Sequence, residues 1–287
     1  MAQKRTTPTV RRRRIGAQMR RWRLTTPLTA AQAAKKLGTD TGRFSRLERG
    51  VYRISAEEIR TLAEIYGLND AEGVEEVIRA NQEEPGWWAA YGDRLSESYR
   101  DFIELEADAR TIRIHHPVII PGLLQSPPYI HEMLTRGPGA VRRNEAEMLV
   151  NVRIGRQLIV TRDENPVDVH ALVPEAAFHA QFAEGSLVMR DQLQRLLLLS
   201  DLPNVTLQIV PLTTHPSFGS SGPMTLMTYR HPWVPIASVD NALGGHHTED
   251  PAEVDFLEKD FRETASIALP VERSREVIAE HLEGLNK

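Results

Sequence analysis

Apolar residues recur at helical spacing through the first eighty positions. Ile15, Met19 and Trp22 fall at i, i+4 and i+7, one face of a helix. Thr25, Thr26 and Pro27 break it. Thr29 is placed to cap a second, alanine-rich helix over 30–37, and Gly38 to end it. Thr39 or Asp40 caps a third helix that runs to Arg49, and Gly50 stops it. Ser55 followed by Glu58 is a capping-box pattern. It opens a fourth helix whose Ile59, Leu62, Ala63, Ile65 and Tyr66 form the buried stripe, and a fifth spans 71–81.

The pattern changes after Glu83, Glu84, Pro85 and Gly86, which punctuate a boundary. Trp87 and Trp88 follow, and paired rings after a linker more often anchor a core than stack on a base. Amphipathic periodicity predicts helices over 98–113, 127–135, 144–162, 190–200, 254–268 and 272–282. Between them, β-type segments occupy 167–173, 205–211, 224–229 and 236–239. The expected architecture is an all-α N-terminal domain of five helices over 15–82. A second, α+β domain follows over 87–285, with a small sheet of about four strands covered by helices.

Composition sharpens this division. The chain has 287 residues, 41% of them apolar, enough to bury a core. It has no cysteine, so disulfides, thiolate catalysis and Cys-type metal sites are excluded. No apolar run approaches the ~18 residues of a membrane span, and a cytoplasmic, nucleoid-associated location is expected. The net charge is −4, yet it is unevenly spread. Up to Arg53 there are fifteen Lys and Arg against Asp40 and Glu48, or +13, which leaves −17 for the remainder. A basic head on an acidic body suits a polyanionic partner at one end, though a solvated basic tail has the same composition. Residues 1–14 are expected to form a basic flexible tail. Within it, Arg11 to Arg14 either fray into the first helix or lie along a phosphate backbone.

Two short helices joined by a tight Gly-containing turn suggest helix-turn-helix geometry. The strings LTAAQAA (28–34) and FSRLERG (44–50), with Gly38 between, resemble the Xre/lambda-repressor type of DNA-binding domain. That resemblance implies a recognition helix whose start faces the major groove. Thr41, Gly42 and Arg43, with Arg46 one turn on, would then lie at base edges, and Arg43 or Arg46 would pair with guanine. Ser45 and the amides opening each helix would hold phosphates, and Thr29, Thr39 and Arg49 complete the expected DNA-binding set. Phe44 and Leu47 face the core. Arg23 and Glu48 match a structural ion pair between helices in that family. Two positions depart from it. Ala30 stands where a phosphate-binding glutamine is common, and Gly42 has no side chain to read a base. Solvated helix surface is the competing explanation for Arg43 and Arg46.

The segment PGLLQSPPYI (121–130) resembles the PGLLQT-x-x-YA segment of actinobacterial regulators of the Scr and WhiJ type. These join an Xre-type head to a C-terminal domain of unknown biochemical function. The stretches RIGRQLIVTRDENP (153–166), PEAAFH (174–179), MRDQLQRLL (189–197), NVTLQIVPL (204–212) and FRETASIAL (261–269) fit the same group. The resemblance implies a transcriptional regulator, antitoxin-like, that binds double-stranded DNA as a homodimer. It also implies modulation by an effector or by a small protein encoded by a neighbouring gene. The alternative is an adaptor that mainly sequesters its partner and binds DNA weakly.

No catalytic constellation stands out, so no enzyme activity and no cofactor are expected. There is no P-loop, no GxGxxG after a strand and no GxSxG elbow. Glu175 and His179 sit at i, i+4 on an expected helix, a spacing that can ligate metal, but no third ligand is evident. His246 and His247 lie in a Gly-rich segment read as a loop, with Glu249 and Asp250 just behind. No metal site is assigned. The PGLLQ segment fits either a pocket or a tightly packed turn.

Overall fold

A computed structural model describes residues 8–136, 139–182, 185–218, 221–241 and 244–285. The chain divides into two compact units. One comprises residues 1–105 with 229–234, the other 106–228 with 235–287. The expected boundary after residue 82 therefore moves to Leu105.

The first unit holds five α-helices in the predicted places: α1 Val10–Leu24, α2 Ala30–Leu37, α3 Thr41–Glu48, α4 Ala56–Tyr66 and α5 Ala71–Gln82. Each start has a physical cause. Thr29 and Gln32 form a capping box on α2, Ser55 and Glu58 form one on α4, and Asp40 and Asp70 accept from the third residue of α3 and α5. Gly38 and Gly67 end α2 and α4 in the left-handed conformation. Ile15, Met19, Trp22, Ala33, Ala34, Phe44, Leu47, Ile59, Leu62 and Tyr66 share one core.

The expected tail is partly wrong. Residues 1–7 lie outside the described residues, but α1 begins at Val10 and includes Arg11 to Arg14. These arginines are occupied within the unit. Arg11 faces Glu83 at 3.4 Å and Glu104 at 3.5 Å, Arg12 donates to the Val51 carbonyl at 2.7 Å, and Arg13 pairs with Asp101. The Arg14 guanidinium lies over the Tyr229 ring at 3.9 Å and the Trp233 ring at 4.9 Å. Four consecutive helical positions point around the whole helix, and later segments meet them with acids at Arg11 and Arg13, a carbonyl at Arg12 and aromatic rings at Arg14. That is why they do not stay free.

Besides residues 97–105, two further pieces belong to this unit. A 3-10 helix over Trp87–Arg94 buries Trp88 and leaves Trp87 partly exposed, edge-on to Trp88 and Tyr91. The segment 229–234 also packs here. Trp233 lies against the helical core and donates to Glu76 at 3.2 Å, and His231 pairs with Asp70 at 2.7 Å.

After α6, Glu97–Asp108, the second unit is a mixed sheet with helices. Its strands are β1 Thr111–His115, β2 Asp168–Pro174, β3 Val205–Val210, β4 Met224–Thr228, β5 Ile236–Asn241 and β6 Gly244–Thr248. Their order is β3-β2-β1-β4-β5-β6, with β1, β2 and β3 parallel and the rest antiparallel. The helices are α7 Pro127–Thr135, α8 Arg143–Thr161, α9 Ser186–Ser200, α10 Pro251–Ile267 and α11 Val271–Gly284. The sheet has six strands, not about four. β1 was hidden because the helical pattern of 98–108 runs into TIRIH, whose buried Ile112 and Ile114 alternate as a strand requires. β6 (GGHHT) has no apolar alternation at all. It is an edge strand held by backbone pairing to β5, so His246 and His247 lie on a strand, not in a loop.

The PGLLQ segment forms a short 3-10 turn, Gly122–Leu124, whose Leu123 and Leu124 are fully buried. Glutamines satisfy its backbone. Gln125 donates to the Ile120 carbonyl at 2.7 Å, and Gln157 to the carbonyls of Gly122 and Gln125 at 2.9 and 2.8 Å. Gln192 donates to the Leu124 carbonyl at 2.9 Å and accepts from the Ser126 amide at 2.7 Å. Beside them Arg156 and Glu106 form a buried two-toothed ion pair at 2.7 and 2.8 Å. Buried irregular backbone needs such partners, and core packing thus accounts for this motif.

Candidate nucleic-acid interface

The site is built on α2 and α3. Phe44 and Leu47 are buried, which turns the opposite face of α3 outward. Thr41, Gly42 and Arg49 are exposed, and Arg43, Ser45 and Arg46 half-exposed. The helix is set at its far end by close backbone packing. A Cβ on Gly16 of α1 would lie 2.6 Å from the carbonyl oxygens of Leu47 and Glu48. Gly50, at φ 68°, approaches the Arg12 carbonyl so closely that a Cβ would sit 2.5 Å away.

Arg23 and Glu48 form the expected pair. Nε and Nη2 of Arg23 meet the two carboxylate oxygens at 2.7 and 3.1 Å, and Nη1 donates to the Leu28 carbonyl at 3.2 Å. Both side chains are about nine-tenths buried. The bond to Glu48 holds the Arg23 guanidinium above its ordinary pKa. Tyr66 lies close by, and its burial pushes its hydroxyl pKa up. The pair thus fixes α1, the α2 approach and the end of α3 in one geometry.

The two arginines offered as base readers are placed differently. Arg43 is half-buried, paired with Glu58 of α4 at 2.6 Å, and its Nη1 donates to the Thr39 hydroxyl at 3.4 Å. The Arg46 guanidinium lies over the Tyr52 ring, 4.8 Å from its centroid, and 3.5 Å from where a Gly42 Cβ would be. A Cβ on Gly42 would touch Arg46 only at ordinary contact distance; its tight neighbour is the Asp40 carboxylate, at 3.0 Å. Arg49 folds back, Nε donating to the Ser45 carbonyl at 3.2 Å.

The helix starts differ in charge. At α3, Asp40 accepts from the Arg43 amide at 2.8 Å, and that bond holds its carboxyl below the usual range. A carboxylate already fills this helix start, so the expectation of a phosphate seat there does not fit. At α2 the capping pair Thr29 and Gln32 is neutral, with no acid in the first turn. Sequence reasoning overlooked Gln32, Tyr52 and Glu58 as parts of the site. Thr29-x-x-Gln32 is itself a legible capping box. Tyr52 stands inside the basic run from Arg49 to Arg53.

Among the described residues, no helix is long and apolar enough to cross a membrane. No curated protein matches this chain, and no solved structure does. Two family models match. The model for a helix-turn-helix domain covers residues 14–76, so the head is a module of the DNA-binding kind. The model for a domain of unknown function, DUF5753, covers residues 99–280. With most of its length inside that match, the chain belongs to the DUF5753 family, and carries a helix-turn-helix domain in front of it.

Proposed function

We propose that the protein is a sequence-specific transcriptional regulator of the Xre type that binds an operator as a homodimer. The observation that carries this is α3. Its apolar side is locked into the core, its other side presents Thr41, Gly42, Arg46 and Arg49, and its angle is set by Arg23–Glu48. In this reading Arg46, stacked on Tyr52, is the principal base reader and forks onto guanine. Arg43 joins it by exchanging Glu58 for DNA. Thr29 and Gln32 at the start of α2 seat a phosphate, and Thr39, Ser45 and Arg49 complete the backbone contacts. One short reading edge covers few bases, which supports two heads on half-sites about 34 Å apart. The C-terminal domain receives the modulating signal, from an effector or a small partner protein, and carries no enzymatic activity.

Selection of bound sequences from a random duplex pool, followed by anisotropy titration of the full chain, tests this. Affinity is expected to fall steeply with salt as counterions are released. Arg46→Ala is expected to relax preference at one base position by about 1–3 kcal/mol. Arg49→Ala is expected to weaken all sequences alike. The same modest loss on every duplex for both variants, or a flat salt response, would refute the assignment.

A further inference from the structure

The second unit contains a ligand-shaped cluster that the DNA-binding role does not use. Glu175 and His179 open and close the 3-10 helix Glu175–His179 that follows β2. This is not the α-helix expected from the sequence, and in the tighter coil the spacing of four alone would not bring the two side chains together. What unites them is a residue over a hundred positions away. His281, on α11, places Nε2 at 3.5 Å from a carboxylate oxygen of Glu175. Its ring stands edge-on to that of His179, with centroids 5.1 Å apart. One donor atom from each of the three lies within 4.8 Å of the others.

Three features make this more than an incidental grouping. The second oxygen of Glu175 is anchored by the Leu212 amide at 3.0 Å, which aims the first at His281. The cluster lines a cavity of about 800 Å³, walled also by Phe178, Met189 and Arg273. It also lies at the carboxyl ends of parallel neighbours, where Pro174 of β2 pairs with Val210 of β3. The ends of parallel strands are where such sheets commonly bind ligands.

We propose that Glu175, His179 and His281 bind one zinc-class divalent ion, with its remaining coordination position open to this cavity. The chemistry fits. Two imidazoles and one carboxylate are a borderline set suited to Zn²⁺ and not to Ca²⁺ or Mg²⁺. Tetrahedral bonds of about 2.1 Å set ligand atoms about 3.4 Å apart, close to the 3.5 Å found between His281 and Glu175. Small rotations of His179, which is exposed, complete the set. Bound metal would join α11 to the turn after β2.

The test uses the full chain, stripped with chelator and titrated with zinc chloride by calorimetry. Cobalt chloride, read by visible absorption, reports the geometry. The expected result is one Zn²⁺ per chain and a tetrahedral Co²⁺ spectrum. Glu175→Gln, His179→Gln and His281→Gln each should lose tenfold or more in affinity, while His246→Gln, on edge strand β6, should bind as wild type does. Zinc should also raise the melting temperature of wild type and not of His179→Gln, whose exposed side chain makes misfolding an inadequate explanation. Absence of stoichiometric binding by wild type, or binding that survives all three substitutions, would overturn the proposal and leave an ordinary histidine–carboxylate contact.

Discussion

Replacing Gly16 with alanine tests the packing that sets the recognition helix. On an isolated helix this change stabilises by about 1 kcal/mol, because alanine is the better helix former. Here the added methyl would meet the carbonyl oxygens of Leu47 and Glu48 at 2.6 Å and the Gly50 amide nitrogen at 2.7 Å. An ordinary contact needs about 3.4 Å, so α1 and the end of α3 must part by most of an ångström. Rigid backbone lies on both sides, and no flexible side chain can give way. Overpacking of this kind costs about 1–3 kcal/mol, and the parting also loosens the core around Ile15 and Leu47. The opposing terms leave a net loss of up to about 2 kcal/mol, in place of the gain of about 1 kcal/mol that propensity alone would give. Urea denaturation followed by tryptophan fluorescence measures it, since Trp22 lies in this core. DNA affinity should fall as well, because the moved backbone carries α3. A Gly16→Ala protein more stable than wild type would show that α1 and α3 are not in backbone contact and refute the reasoning.

Three other perturbations probe separate parts of the molecule. Glu48→Ala strands the buried Arg23 guanidinium and should destabilise the first unit by about 3 kcal/mol or more, read by denaturant titration. Glu58→Gln keeps the cap on α4 but removes the charge that holds Arg43. DNA binding should tighten by up to about fivefold, the worth of a part-exposed ion pair of about 1 kcal/mol, and unchanged affinity would show Arg43 makes no DNA contact. Burial holds His116 at a pKa of about 4, and its Nδ1 accepts from the amides of Val118 and Ile119. The folded state thus takes up its proton later than the unfolded chain. Stability is complete above about pH 6.5 and declines as pH falls towards 4, on the order of 1–3 kcal/mol from this group. Melting curves across that range should flatten in His116→Gln.

The head was legible because its signals are local. Caps at Thr29 and Ser55, stops at Gly38 and Gly50 and a stripe of apolar residues act within one or two helical turns, and each stands where it was expected. Arg23–Glu48 was legible only through resemblance, because 25 positions separate the partners. What stayed hidden depends on distant chain. The engagement of Arg11 to Arg14 was not legible because the partners that meet them, among them Glu83, Asp101, Glu104, Val51 and Tyr229, come from later segments. β6 escaped because an edge strand needs only backbone hydrogen bonds. His281 escaped as a companion to Glu175 and His179 because no periodicity links α11 to the turn after β2.

The helical head is discontinuous in sequence, and this bears on how it is made and dissected. During synthesis, everything up to Leu105 leaves the ribosome well before Tyr229 to Val234 exist. The nascent head therefore waits without the Tyr229 and Trp233 rings against Arg14 and with the Trp233 seat vacant. Any fragment cut at the apparent linker near residue 86 inherits that unfinished surface permanently. A peptide spanning the 229–234 loop, added back in trans, is the natural reagent for restoring it.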